Sequence, residues 1–260
     1  MNAGREKIDP GQIGGWPSLY ITYATDADRI QDLLPPGIKP GPNPHVHVSF
    51  YQTPVPDEPE YGVRVGVEAT YEGTPGYYTL GYGITQESAI FVSRDMNGQP
   101  KYPCEVTYYL HKDDVTARAS HQGYTFVEFK GRVGEALPMA TDNVEEHHWW
   151  VKVSPAVGGA EKEYDFPPHV VRNSLITGPS PRNRVEGALT LHESPWDPIK
   201  ELLPVRDVVA IELSGPRPLV GYSVTRLGAL DPDAFWPYVS TIGGSRWPGE
   251  RGGPRSKSIS

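Results

Sequence analysis

The segment Ser88-Ala89-Ile90-Phe91-Val92-Ser93-Arg94-Asp95-Met96-Asn97-Gly98-Gln99-Pro100-Lys101-Tyr102 joins an apolar run to a single lysine through a Gly-x-Pro bend. Residues 89–93 have the apolar, β-prone character of a short buried strand. Gly98-Gln99-Pro100 makes the bend stiff, because glycine tolerates unusual backbone angles and proline fixes its own φ. Lys101 follows at once. A lysine held at the end of a buried strand loses water from its ammonium, and desolvation disfavours the charged form. A neutral amine is a nucleophile toward ketones.

Outward from this segment, strand signals dominate: residues 20–24, 45–53, 63–71, 77–84, 89–93, 105–110, 115–119, 125–133, 149–153, 185–191, 208–213 and 219–225. Many short strands with turn residues between them predict a sandwich or closed barrel rather than a doubly wound α/β sheet. Thr25-Asp26-Ala27-Asp28 matches a helix-opening box, and Ile30, Leu33 and Leu34 follow at helical spacing before Pro35. Residues 197–203 and 231–238 are the other short helical candidates, all three expected outside the sheet.

The 260 residues are 37% apolar and include 28 glycines, which together fall in the ordinary globular range. The 28 prolines largely exclude long helices. A net charge of −8 argues against nucleic acid or an anionic membrane as partner, since both require a basic surface. Cys104 is the single cysteine, which rules out an internal disulfide and a cysteine-based zinc site. The amino terminus lacks an apolar targeting core and no stretch approaches a membrane span, so the expected location is cytoplasmic. Residues 1–242 are expected to form one domain, and 243–260, rich in Gly, Arg and Ser, a tail.

The bend and its lysine resemble the signature of the acetoacetate decarboxylase superfamily: an apolar strand, Arg-Glu, a short Gly-containing loop and Pro-Lys-Lys, whose first lysine forms a Schiff base. Lys101 takes that position, with Arg94-Asp95 for Arg-Glu and Tyr102 for the second lysine. The resemblance runs from Tyr20 to Leu227. It includes Leu34-Pro35-Pro36-Gly37, Gly73-Thr74-Pro75-Gly76-Tyr77-Tyr78, and Asp197-Pro198-Ile199 followed by Leu203-Pro204-Val205-Arg206-Asp207. It implies a mainly β (α+β) fold: a closed antiparallel β-barrel with a few short outer helices. It also implies chemistry without a metal or other cofactor, a small keto acid substrate, and a homo-oligomer, a dimer of dimers or larger.

Lys101 is the expected nucleophile. The resemblance places an acidic residue near Gly62, a role Glu60 fills after a shift of two positions unless it is a solvated loop carboxylate. Tyr222 matches a tyrosine of the last strand and is either a donor in the pocket or a core residue. Trp16 stands where the decarboxylases carry an arginine, and Tyr102 offers no cation to repel the Lys101 ammonium. Both departures argue against decarboxylation.

Members without the lysine pair resemble aldolase-dehydratases or hydratases of 2-keto acids such as pyruvate. Such a substrate needs donors for its carboxylate. Arg94 is the candidate, with Asn97, Gln99, Tyr102 and Tyr82 beside it, unless Arg94 pairs with Asp95 or Glu87 to brace the loop. Three functions remain open: a Schiff-base lyase acting on 2-keto acids, an acetoacetate-type decarboxylase, and a non-catalytic barrel that binds a small ligand. His45-Val46-His47 and Glu145-Glu146-His147-His148 are read as an exposed strand face and a polar turn, and no metal site is expected from them. Trp149-Trp150 is expected to pack core and a subunit contact.

Overall fold

Alternating burial organises the chain into strands, most plainly in Ser18–Ala24, where every second side chain is buried. A computed structural model describes residues 12–13, 16–53 and 59–239. In chain order these form β1 (Gln12–Ile13), β2 (Ser18–Ala24), α1 (Ala27–Leu33), β3 (Ile38–Pro40), β4 (His45–Thr53), β5 (Glu60–Tyr71) and β6 (Thr74–Ile84). Then follow α2 (Glu87–Asn97), β7 (Lys101–Pro103), β8 (Glu105–His111), β9 (Asp114–His121), β10 (Tyr124–Leu137), β11 (Val144–Pro155) and β12 (Tyr164–Thr177). The last elements are β13 (Arg182–Leu191), α3 (Ile199–Leu202), β14 (Asp207–Ser214), β15 (Arg217–Ala229), α4 (Pro232–Phe235) and a 3-10 turn, Trp236–Tyr238.

The fold is mainly β, a large sheet with four short helices, in accord with the expected class. Its strands run β1-β15-β12-β11-β6-β5-β4-β2-β14-β13-β10-β9-β8, with β3 on β5 and β7 on β6. Pairing is antiparallel except where β6 meets β11 and β7. One sheet face carries the main apolar core: Leu19, Ile21 and Tyr23 of β2, Val46, Val48 and Phe50 of β4, and Val63, Val65 and Val67 of β5 are all buried. The residues between them, Tyr20, His47, Ser49, Tyr51, Arg64 and Glu68, are polar and lie on the opposite face. No described helix is long and apolar enough to cross a membrane.

Three local expectations are corrected. Residues 89–93 are not a strand but the middle of α2. A five-residue apolar run does not distinguish the two, and here only Ile90 is buried while Phe91, Val92 and Met96 face outward. Residues 145–148 are not a turn but part of β11. The helix-opening residue of α1 is Asp26 rather than Thr25, and its side chain makes no cap, being held by Arg206 at 2.7 Å instead. The fourteen-residue strand β12 has no counterpart among the expected strands, because Pro167-Pro168 and the polar Arg172-Asn173 disguise its alternation. The expected tail at 243–260 lies outside the described residues.

Candidate active site

Helix α2 ends in a left-handed Gly98 (φ 64°), whose N–H reaches Arg94 O at 2.8 Å while that of Gln99 reaches Ser93 O at 3.2 Å. Glycine is required there twice over, for its φ and because a Cβ would strike the Lys152 side chain. Strand β11 pins the same corner. Trp150 Nε1 donates to Asn97 O at 2.8 Å, and Lys152 Nζ donates to Asp95 O at 2.7 Å and to Met96 O at 3.1 Å. The chain then passes through buried Pro100, whose carbonyl accepts from Tyr82 N at 2.9 Å, into β7. The Gly-x-Pro bend thus delivers Lys101 to the edge of β6, paired with Tyr82.

Lys101 is only 9% exposed and Glu60 6%. Lys101 Nζ lies 3.1 Å from Glu60 Oε2 and 3.4 Å from Oε1. Glu60 is therefore not a solvated loop carboxylate: it begins β5 and is the ionic partner of Lys101. The Tyr51 hydroxyl donates to Glu60 Oε1 at 3.0 Å. Burial, then the Glu60 charge, push the Tyr51 phenol well above its ordinary value, so it stays a donor.

Register carries this face into a cavity of about 160 Å³. Ser49, Arg64, Tyr82 and Lys101 stand side by side across β4, β5, β6 and β7. The cavity is lined by Tyr20, Tyr51, Arg64, Tyr82, Glu146, His148, Asn173 and Arg217, among others. Arg217 is neutralised: it meets Glu146 Oε2 at 3.2 Å and Tyr20 Oη at 2.8 Å. Arg64 is not. Its guanidinium touches the His148 ring and lies over the Tyr77 ring, and among the described residues it has no carboxylate partner. Burial, then the charges of Arg64 and Arg217, push His148 well below its ordinary value and keep it neutral. A half-buried guanidinium with only a neutral partner is a site for an anion.

The other expected residues fall elsewhere. Strand alternation turns Tyr102 to the face opposite Lys101, where its ring packs 4.8 Å from that of His121, itself bonded to Asp197 at 2.7 Å. A lysine at that position would face the core and not Lys101, so the missing cation carries no weight against decarboxylation. Arg94 lines a second cavity with Ile90, Cys104 and His121 and has no ion pair among the described residues, with Asp95 and Glu87 included. Asn97 acts through its carbonyl, and Gln99 is half-buried in the bend. Tyr222 is 58% exposed and thus no core tyrosine; it pairs with Leu175, a residue of the cavity that Tyr51, Arg64 and Tyr82 line. Arg64, Tyr51, Arg217 and His148 escaped the sequence because strand register is not written in it; the one available signal was polar residues at every second position of β4 and β5. Trp149 and Trp150 are both fully buried within the chain.

The model of the acetoacetate decarboxylase (ADC) family matches residues 2–217. An acetoacetate decarboxylase of Burkholderia multivorans is 27% identical over 225 residues, which are 82% of this chain and 84% of that one. Among solved structures, the acetoacetate decarboxylase of Legionella pneumophila superposes with a TM-score of 0.69 at 16% identity, over 88% of this chain and 93% of that one. The enduracididine biosynthesis enzyme MppR, solved in complex with pyruvate, superposes with a TM-score of 0.60 at 16% identity, over 84% and 91%. The chain belongs to the acetoacetate decarboxylase family.

Proposed function

We propose that this family member is a Schiff-base lyase acting on 2-keto acids, an aldolase-dehydratase or a hydratase of an unsaturated 2-keto acid, with Lys101 as nucleophile. The observation that carries this is the buried Lys101–Glu60 pair, 3.1 Å apart, beside a cavity into which an unneutralised Arg64 projects. Glu60 takes a proton from the Lys101 ammonium, and the freed amine adds to the substrate ketone. Protonated Glu60 then returns its proton to the carbinolamine hydroxyl, which leaves as water and gives the iminium. Glu60, a carboxylate again, takes a C3 proton to give the enamine, and returns that proton either to the alkoxide formed when the enamine adds to an aldehyde or to a β-hydroxyl that departs as water. Tyr51 holds Glu60 in place throughout, and Arg64 binds the substrate carboxylate.

The charge distribution supports this outlet over decarboxylation. A guanidinium on the carboxylate stabilises the ground state of a group that decarboxylation must release as neutral carbon dioxide, so it raises that barrier. The second reading, an acetoacetate-type decarboxylase using the same lysine, is favoured by the names of the curated relatives. Borohydride reduction separates the two. The protein is incubated with pyruvate or with acetoacetate, reduced, and its intact mass measured while carbon dioxide is monitored. A pyruvate adduct without gas from acetoacetate supports the first reading, and rapid gas evolution overturns it in favour of the second. Absence of any adduct removes both and leaves a ligand-binding protein.

A further inference from the structure

We propose that His45, His47 and Glu68 form a binding site for one divalent transition-metal ion of the zinc or cobalt type. From sequence the two histidines look like members of an exposed strand face; the adjoining strand supplies the third donor. Alternation puts His45 and His47 on one face of β4 with Val46 buried on the other. The register Val46↔Val67 and His47↔Gly66 brings Glu68 beside them, while Gly66, opposite His47, contributes no side chain.

The donor atoms converge. His45 Nδ1 is 2.9 Å from Glu68 Oε1, His47 Nε2 is 3.5 Å from the same oxygen, and all three ligand atoms lie within 4.8 Å of one another. A tetrahedral ion with bonds of about 2.0–2.1 Å sets its ligands roughly 3.3 Å apart, close to both distances from Glu68 Oε1. The His47 Nε2 atom is buried and has no hydrogen-bond partner. Its other ring nitrogen is bonded to the Thr22 hydroxyl at 3.1 Å. When Nδ1 carries the proton and donates to that oxygen, the Nε2 lone pair faces a carboxylate oxygen, an arrangement a cation between them resolves.

The outer shell is built as well. Asn43 holds Glu68 Oε2 through its backbone N–H at 3.3 Å and its side chain at 3.2 Å, which leaves Oε1 turned to the histidines. The Tyr77 ring packs edge-on against His47 at 4.6 Å. Two imidazole nitrogens and one carboxylate oxygen leave a fourth position for water or a ligand. Glu68 is eight residues from Glu60 along β5, so the site is distinct from the Lys101–Glu60 pair.

The test uses chelator-stripped full-length protein titrated with Co²⁺, followed by visible absorption, and with Zn²⁺, followed by calorimetry. One ion per chain is expected, with the intense bands of four-coordinate cobalt. His47→Gln and Glu68→Gln are each expected to weaken binding at least tenfold. Thr22→Val, which leaves all three ligands in place, is expected to weaken it by about tenfold through loss of ring orientation. Circular dichroism checks the fold of each variant, and Thr22→Val carries the test if a ligand variant fails to fold. Lys101→Ala should bind the ion unchanged, which separates this site from the proposed lyase chemistry. No ion bound below millimolar concentration, or equal affinity in wild type and all three variants, overturns the proposal.

Discussion

The ring of Tyr51 fills the space in which a side chain at Gly62 would begin, and from there its hydroxyl reaches Glu60. The absence of a Cβ at Gly62 is therefore what allows the phenol to lie flat on β5 and brace the carboxylate that faces Lys101. Tyr51→Phe removes one hydrogen bond to a charged group, expected to lower kcat by about 10- to 100-fold. Gly62→Ala is expected to cause a similar loss by displacing the ring, with KM changing much less in both variants. Rates within twofold of wild type would show that the brace has no part in turnover.

Of the two arginines that line the cavity, Arg217 is paired with Glu146 while Arg64 has no carboxylate partner among the described residues, and this predicts a split between substrates. Arg64→Met should raise KM for a keto acid by about tenfold or more, the worth of a charge-assisted hydrogen bond. Borohydride trapping of a neutral ketone such as acetone should be unaffected. Equal loss with both would mean that Arg64 shapes the cavity instead of binding the anion.

Tyr102→Lys tests the orientation of β7. The new ammonium would enter the packing against His121, where Tyr102 is 2% exposed, and an unpaired buried charge costs several kcal/mol. A marked fall in Tm is expected, with no gain in activity. A shifted acid limb of the rate profile at unchanged Tm would contradict the alternation that separates residues 101 and 102.

His148 and His47 make stability depend on pH in a defined direction. Both are held below the ordinary value of 6.5 mainly by burial, so the unfolded chain binds protons more readily than the folded one. Their contribution is fully present above about pH 6.5 and is lost as pH falls below it toward their folded values. Thermal melts should show Tm declining from pH 7 to pH 5, and His148→Asn should flatten that decline. An identical slope in the variant would count against a buried neutral His148.

Sequence patterning disclosed the β4 strand to the residue and most other strands to within a few positions, because one face of each is buried and alternation survives. It misread α2, where an apolar run lies on a partly exposed helix, and it left out β12, where prolines and polar residues mask the period of two. Lys101 was legible from the bend, and Glu60 only through the resemblance, since forty-one residues separate the two in the chain. Arg64, Tyr51, Arg217 and His148 come together through strand register alone. The departure that looked most telling, Tyr102 in place of a second lysine, lost its meaning once alternation turned that side chain to the other face.

The most direct test of the central claim is peptide mapping of the borohydride-reduced adduct formed with pyruvate. A single modified peptide carrying the reduced carbon skeleton on Lys101, absent in Lys101→Ala with its fold intact, is the predicted result. Modification of another lysine, such as the exposed Lys39 on β3, with Lys101 unaltered would contradict it.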